Sequence, residues 1–212
     1  MTDDIRDMVI AQRAELSAVL DGLPAGDWDK GTLCAGWRVR ELVAHVTMPF
    51  RYGRGRFVLE LARSRGRFNE MADRLARRDA AAMTPVELAA ALRSNIEHPW
   101  APPGGGATGA LSHDLIHGLD LTVPLGLDRP VLPERLRRVL PGSTADRSVR
   151  FFGVDLEGIE LRADDMDWCL GSGAPVTGAA SDLLLVLCGR LVPAGRLAGE
   201  ASARFTAPGA PA

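Results

Sequence analysis

The sequence of 212 residues has few cysteines and no long apolar run, and each of these absences argues against one class of protein. Cys34, Cys169 and Cys188 are odd in number and widely spaced, which argues against a disulfide framework and for reduced thiols. No apolar run approaches the roughly 18–20 residues that a membrane helix needs. The first residues lack the basic and apolar regions of a secretory signal. We therefore expect a cytoplasmic protein with no membrane partner.

Lysine is almost absent, since Lys30 is the only lysine among 25 basic residues. The formal net charge is −2 and the pI is about 6.1, which gives no reason to expect a nucleic acid partner. Nine arginines nevertheless lie between Arg51 and Arg78, against three acidic residues. This run is either a solvated helix face or a rim that attracts an anionic small-molecule substrate. We expect a monomer or a homodimer.

Histidine is also scarce, and two of the four histidines, His113 and His117, stand four residues apart. On a helix, residues at this spacing lie on one face, one turn apart. Two imidazoles so placed can ligate one metal ion, because imidazole is the commonest metal ligand in proteins. The alternative is that both are ordinary helix histidines. A third ligand from elsewhere in the chain favours the metal, and His45 is the candidate.

Helical periodicity dominates the first 140 residues. His45 borders the apolar stripe of the helix that begins near Val39. Thr84 and Glu87 have the spacing of a capping box, with Pro85 at the first helical position. The predicted helices cover residues 3–22, 39 onwards to the region of Pro49, 84–96, 111–123 and 133–140.

The periodicity changes from 3.6 to 2 after the Pro141–Thr144 segment. We therefore predict a domain boundary near residues 141–147, with domains at 1–142 and 147–212. The smaller domain combines short strands with one helix, which begins at 178–182 and runs to Cys188. The predicted strands cover residues 149–155, 159–162, 166–170 and 201–206.

Three histidines on facing helices match the way that metal sites are built in helix bundles. Three protein ligands with an open position are typical of a catalytic site, whereas a structural zinc site needs four. Neutral imidazoles leave the +2 charge of the ion uncompensated. This favours an anion, such as a thiolate or hydroxide, at the open position.

Several motifs resemble the mycothiol-dependent maleylpyruvate isomerase family of the DinB/YfiT-like superfamily. The segment 33–45 resembles the family's first metal-ligand motif, and 113–126, with its His-Gly-x-Asp and Pro-Leu-Gly, resembles the second. Asp167-Trp168, Gly171-Ser172-Gly173 and the segment 183–190 resemble its small C-terminal domain. The resemblance implies an α+β fold, in which an N-terminal DinB-like four-helix bundle precedes a small C-terminal α/β domain.

The resemblance also implies a divalent metal, zinc or a similar ion, bound by His45, His113 and His117, and the thiol cofactor mycothiol. The activity it implies is S-transfer or maleylpyruvate-type cis–trans isomerisation, with a metal-bound thiolate as the nucleophile. Isomerase members carry a glutamate where this chain has His113, so the site here is less anionic.

Three further residues have candidate roles, and Cys34 is given none. Asp114 and Asp120 are candidates for orienting the imidazole rings, or are exposed helix residues. Arg190 is a candidate catalytic residue that anchors a substrate carboxylate, or is the charged end of the last helix. Cys34 lies ahead of the His45 helix and is not expected to supply the reactive thiol, which must then come from a cofactor.

Two other functions stay open at this point. The sequence His113-Asp114-x-x-His117 is close to the H-E-x-x-H motif of zinc proteases, in which the glutamate is the general base. Glu134 is then the candidate third ligand of a zinc-dependent hydrolase. A metal-binding bundle protein without catalytic activity is the remaining alternative.

Overall fold

A computed structural model describes residues 2–127, 129–144 and 151–208. The chain divides into two compact units, an N-terminal unit, Met1–Leu121, and a C-terminal unit, Thr122–Ala212. The predicted boundary near residues 141–147 stays a prediction. Among the described residues, no helix is both long and apolar enough to cross a membrane.

The N-terminal unit is helical. Its core consists of buried leucine, valine and methionine side chains. Helix α2 packs against α4 and α5, and helix α1 packs against α5. This is the amphipathic pattern that the sequence predicts, with apolar residues three and four positions apart. The helices are α1 (Thr2–Asp21), α2 (Val39–Arg51), α3 (Arg54–Arg63), α4 (Phe68–Ala82), α5 (Pro85–Arg93) and α6 (Gly106–Thr122), with a short 3₁₀ helix at Ala25–Asp29.

The capping box predicted for α5 is present. The Thr84 hydroxyl accepts a hydrogen bond from the Glu87 amide at 3.2 Å, and the Glu87 carboxylate accepts one from the Thr84 amide at 2.7 Å. We expect Thr84→Ala to lower the free energy of unfolding by about 1 kcal/mol, because the cap satisfies an otherwise unpaired helix amide. Urea denaturation measures this change. Glu87→Gln keeps an acceptor and serves as the control, so an equal loss in both variants would contradict the capping argument.

The C-terminal unit holds helix α7 (Pro133–Ser143), a mixed four-stranded sheet and helix α8 (Ala180–Leu187). The strand order is β2-β1-β3-β4, with β1 parallel to β3 and the outer pairs antiparallel. The apolar run from Leu183 to Cys188 is almost fully buried, because α8 packs on β1, β3 and α7. The strands are β1 (Ile159–Ala163), β2 (Cys169–Gly171), β3 (Ala174–Gly178) and β4 (Leu197–Ala198).

Gly173 is required by the turn between β2 and β3. Its φ angle is +133°, a conformation that side chains disfavour. A Cβ atom at this position would lie 2.1 Å from the Gly158 carbonyl oxygen, so the close approach of two backbone segments excludes any side chain. This explains one glycine of the Gly171-Ser172-Gly173 motif in physical terms.

The α+β fold is confirmed, but two predicted strands are wrong. Residues 151 and 152 are helical, and their phenylalanines are 66% and 38% exposed; residues 149 and 150 lie outside the described residues. Residues 200–205 form a 3₁₀ helix, in which the Ser202 amide bonds to the Gly199 carbonyl. Alternation was misleading for the first of these, because neither set of alternating side chains in residues 151–155 is buried. Strand β3 was missed because its Pro175 and Gly178 are typical of turns.

Candidate metal centre

Three histidine side chains converge inside the N-terminal unit. His45 lies on α2, and His113 and His117 lie one turn apart on α6. Their ligand nitrogens all lie within 4.8 Å of one another. The ring centroids are 5.5 Å apart for His45 and His113, 5.0 Å for His45 and His117, and 4.7 Å for the two α6 rings. The structure thus brings together the three residues that the sequence proposes as ligands.

A buried ion pair between Asp114 and Arg13 contacts the His113 ring at Nδ1. Oδ1 of Asp114 lies 2.9 Å from Nδ1 of His113, and Nε of Arg13 donates to Oδ2 of Asp114 at 2.6 Å. Arg13 and Asp114 are each 1% exposed. Arg13 also donates to the His98 carbonyl at 2.6 Å and to the Trp100 carbonyl at 3.4 Å. Arg13 on α1 therefore connects the His113 partner to the segment that carries Trp100.

The protonation of this pair can be assigned from its surroundings. Burial alone would raise the pKa of Asp114, but the hydrogen bonds with His113 and Arg13 and the charge of Arg13 hold that pKa below its usual range. An ionised carboxylate only accepts hydrogen bonds. Nδ1 of His113 must then carry the proton and donate it, which leaves the lone pair on Nε2 for a metal.

His117 has a carboxylate partner of the same kind. Oδ2 of Asp120 lies 2.9 Å from Nδ1 of His117, and Asp120 is completely buried. Carboxylates that hold a ligating imidazole by its other nitrogen fix the tautomer and the ring orientation. The two hydrogen bonds proposed from the sequence, for Asp114 and Asp120, are present, and neither residue is exposed.

Cys34 is closer to the site than the sequence indicates. Its thiol donates to Oδ2 of Asp120 at 3.1 Å, and its Sγ lies 3.9 Å from Nδ1 of His117. The backbone explains this position, because the Leu33 amide donates to the Asp120 carbonyl at 3.0 Å. This main-chain hydrogen bond holds the loop before α2 next to the C-terminal end of α6.

Two tryptophans flank the histidines. The Trp37 ring lies 5.0 Å from the His45 ring, and the Trp100 ring lies 5.0 Å from the His113 ring. Trp37 is held in place by a 2.7 Å hydrogen bond from its indole nitrogen to Asp73. Such rings exclude water from neighbouring polar groups and strengthen electrostatic interactions there.

Arg190 follows α8 in the C-terminal unit. Its Nη1 donates to the Cys188 carbonyl at 2.8 Å. The proposed catalytic role of Arg190 stays a prediction.

The arginine run between Arg51 and Arg78 is largely an ion-pair network. Asp79 accepts hydrogen bonds from Arg51 at 2.6 Å and from the Tyr52 hydroxyl at 2.6 Å, and the Arg78 side chain donates to both Tyr52 and Asp79. The buried Glu60 pairs with further arginines of α3 and α4. These contacts favour a structural interpretation of the run over an anion-attracting rim.

The network predicts a dependence of stability on pH. Burial would raise the pKa of Asp79, but hydrogen bonds from Tyr52 and Arg51 and the charge of Arg51 hold it below its usual range. A lowered folded-state pKa contributes stability above the unfolded-state value, roughly 3.9, and this contribution is lost as pH falls through the folded-state pKa. We expect Asp79→Asn to cost about 1–3 kcal/mol at pH 7. Denaturation between pH 7 and 2 should show a smaller acid loss in the variant, and parallel profiles would contradict this.

Sequence reasoning missed three contributors to the site. Arg13 follows the apolar spacing of the first helix, and an arginine at such a position indicates a buried ion pair. Trp100 stands in a Pro/Gly loop that carries no periodic signal. Trp37 stands in the loop before α2, where no periodic pattern predicts its contact with His45.

The donor set fits a divalent ion. Three imidazoles lie within reach of one another, and two of them have Nδ1 held by a carboxylate; this arrangement matches the donor types that a divalent ion such as zinc binds.

Residues 9–99 match the family model of the mycothiol maleylpyruvate isomerase N-terminal domain. This segment is similar to that domain. The family resemblance drawn from the sequence motifs is thereby confirmed. His45 lies within the matched residues of the domain, and His113 and His117 follow it along the chain.

Solved structures extend the comparison to the whole chain. The crystal structure of a mycothiol-dependent maleylpyruvate isomerase matches with a TM-score of 0.61 and 13% identity, covering 100% of this chain and 96% of that chain. A histidine-to-alanine mutant of such an isomerase matches with a TM-score of 0.58 and 12% identity, with the same coverage. At this identity the likeness establishes the fold. Among curated proteins, none matches the chain.

Proposed function

We propose that this mycothiol isomerase-like protein is an enzyme that uses a divalent metal, zinc or a similar ion, and the thiol cofactor mycothiol. The observation that carries the proposal is the convergence of His45, His113 and His117 within 4.8 Å, in a chain whose residues 9–99 are similar to this family's N-terminal domain. A divalent ion held by His45, His113 and His117 would lower the pKa of a thiol bound beside it. Bound mycothiol supplies a nucleophilic sulfur, for reversible addition in an isomerase or for transfer in an S-transferase.

The residues of this chain prepare the site for that chemistry. Asp114 and Asp120 hold protons on Nδ1 of His113 and His117, so that each Nε2 presents a lone pair. The three neutral imidazoles bring no negative charge, which supports binding of an anionic sulfur. Trp37 and Trp100 restrict water around the rings. These roles require no thiol from the protein itself.

A zinc-protease mechanism is less well supported. It needs Asp114 as a general base that reaches a metal-bound water. Asp114 is instead 1% exposed, and its two oxygens are engaged by His113 and Arg13. A carboxylate fixed in this way orients an imidazole and does not take up a substrate proton.

The test combines metal analysis with turnover assays. The purified protein is expected to hold about one divalent ion per chain, removable by chelation. Maleylpyruvate with mycothiol tests isomerisation, and an electrophilic acceptor with mycothiol tests S-transfer. Turnover that requires both the ion and the added thiol supports the proposal, and the assay that responds assigns the reaction. Full activity in metal-free protein, or without any added thiol, would refute it.

A further inference from the structure

Three donor atoms of different types, from Cys34, His117 and Asp120, lie within 4.8 Å of one another. Sγ of Cys34 lies 3.1 Å from Oδ2 of Asp120 and 3.9 Å from Nδ1 of His117. Nδ1 of His117 lies 2.9 Å from Oδ2 of Asp120. We propose that these residues form a second, alternative cation site, selective for a soft divalent ion such as Cd²⁺ or Zn²⁺.

The spacing of these atoms suits a tetrahedral ion. With bonds of about 2.3 Å to sulfur and 2.0–2.1 Å to nitrogen and oxygen, a tetrahedral ion separates its donor atoms by roughly 3.3–3.6 Å. The observed separations lie on both sides of that range. Shifts of a few tenths of an ångström therefore convert the hydrogen-bonded cluster into a ligand set.

The backbone holds this cluster together independently of its side chains. The Leu33 amide donates to the Asp120 carbonyl, and the Cys34 amide donates to the Thr32 hydroxyl at 3.2 Å. Cys34 is thus fixed opposite α6 before any ion arrives, which lowers the entropic cost of binding. Cys34 is also partly exposed, whereas Asp120 is fully buried, so an ion has an entry path on the cysteine side.

Charge and softness distinguish this site from the three-histidine site. A thiolate and a carboxylate together balance a +2 charge, whereas three neutral imidazoles leave it uncompensated. Thiolate ligands also select soft ions. Binding releases the Cys34 thiol proton to solvent, and the proton on Nδ1 of His117 moves to Nε2 through exchange with solvent.

The two sites compete for His117. A neutral imidazole has one lone pair, so an ion on Nδ1 leaves Nε2 protonated and unable to ligate. A soft ion held by Cys34 therefore excludes an ion from the three-histidine site. The binding of a cation by Cys34 does not depend on the thiol chemistry proposed above. The inhibition of turnover that follows from this competition rests on the proposed function.

Cd²⁺ titration of chelator-treated protein tests the site, since a Cd–thiolate bond gives an ultraviolet charge-transfer absorption. We expect this absorption in the wild type and its loss in Cys34→Ser. It should persist in Cys169→Ser, which removes the exposed cysteine of the C-terminal unit. It should also persist in His113→Ala and in His45→Ala, because neither residue belongs to the second site.

The outcomes separate this proposal from the proposed function. An absorption that survives in Cys34→Ser and disappears in Cys169→Ser overturns the second site, and so does its absence from the wild type. Release of one Zn²⁺ from Zn-loaded protein as the absorption grows supports the competition, and simultaneous binding of both ions overturns it. If Zn-loaded protein without Cd²⁺ shows no thiol-dependent turnover, while the chelator-treated protein still gives the Cd²⁺ absorption that requires Cys34, the enzyme assignment alone fails.

Discussion

His117→Ala is expected to abolish metal binding and thiol-dependent turnover together. Two imidazoles seldom retain zinc at working concentrations, and His117 is one of three converging ligands. Metal affinity should fall by more than the roughly 10–100-fold that is typical of losing a supporting residue. Isothermal titration with Zn²⁺ and the mycothiol-dependent assay measure the two effects on the same preparation.

The matched control for His117→Ala is Thr84→Ala. It lowers stability at the α5 cap without touching the histidines. We expect this variant to keep its metal and its turnover, which separates loss of a ligand from loss of folding. A His117→Ala protein that still binds one Zn²⁺ with wild-type affinity, or turns over substrate without the ion, would contradict the ligand assignment.

Local spacing predicted part of this site well. His113 and His117 stand four apart in a helical segment, so their common face follows from helix geometry alone. His45 lies 68 positions before His113, and no spacing rule connects the two residues. His45 is predicted as the third ligand because it lies on a helix and because of the family resemblance. The N-terminal helices were predictable for the same reason, because a 3.6-residue stripe is a local signal.

The parts that the sequence did not predict depend on contacts between distant segments. Arg13 pairs with Asp114 across 101 positions, and Cys34 meets Asp120 across 86. Strand β3 pairs with β1 despite its Pro175 and Gly178, because burial in the sheet outweighs weak local propensity. Tertiary packing decides such contacts, and periodicity carries no information about them.

Arg13→Met is expected to weaken the metal site through Asp114. The guanidinium and the carboxylate are each 1% exposed, so removing the arginine leaves a buried charge without its principal counter-ion. Breaking a buried ion pair in this way typically costs about 3–5 kcal/mol. The loosened Asp114 then orients His113 less well, and Zn²⁺ affinity should fall by roughly 10–100-fold.

Asp114→Asn separates the orienting role of this pair from its contribution to stability. The amide oxygen still accepts from Nδ1 of His113, so the ring stays oriented while the ion pair with Arg13 is lost. We expect this variant to lose stability as Arg13→Met does, yet to keep most of its Zn²⁺ affinity. The absorption spectrum of bound Co²⁺, which reports ligand geometry, should change in Arg13→Met and remain near that of the wild type in Asp114→Asn. Equal losses of affinity in the two variants, with unchanged spectra, would show that Arg13 acts on folding alone and not on the position of His113.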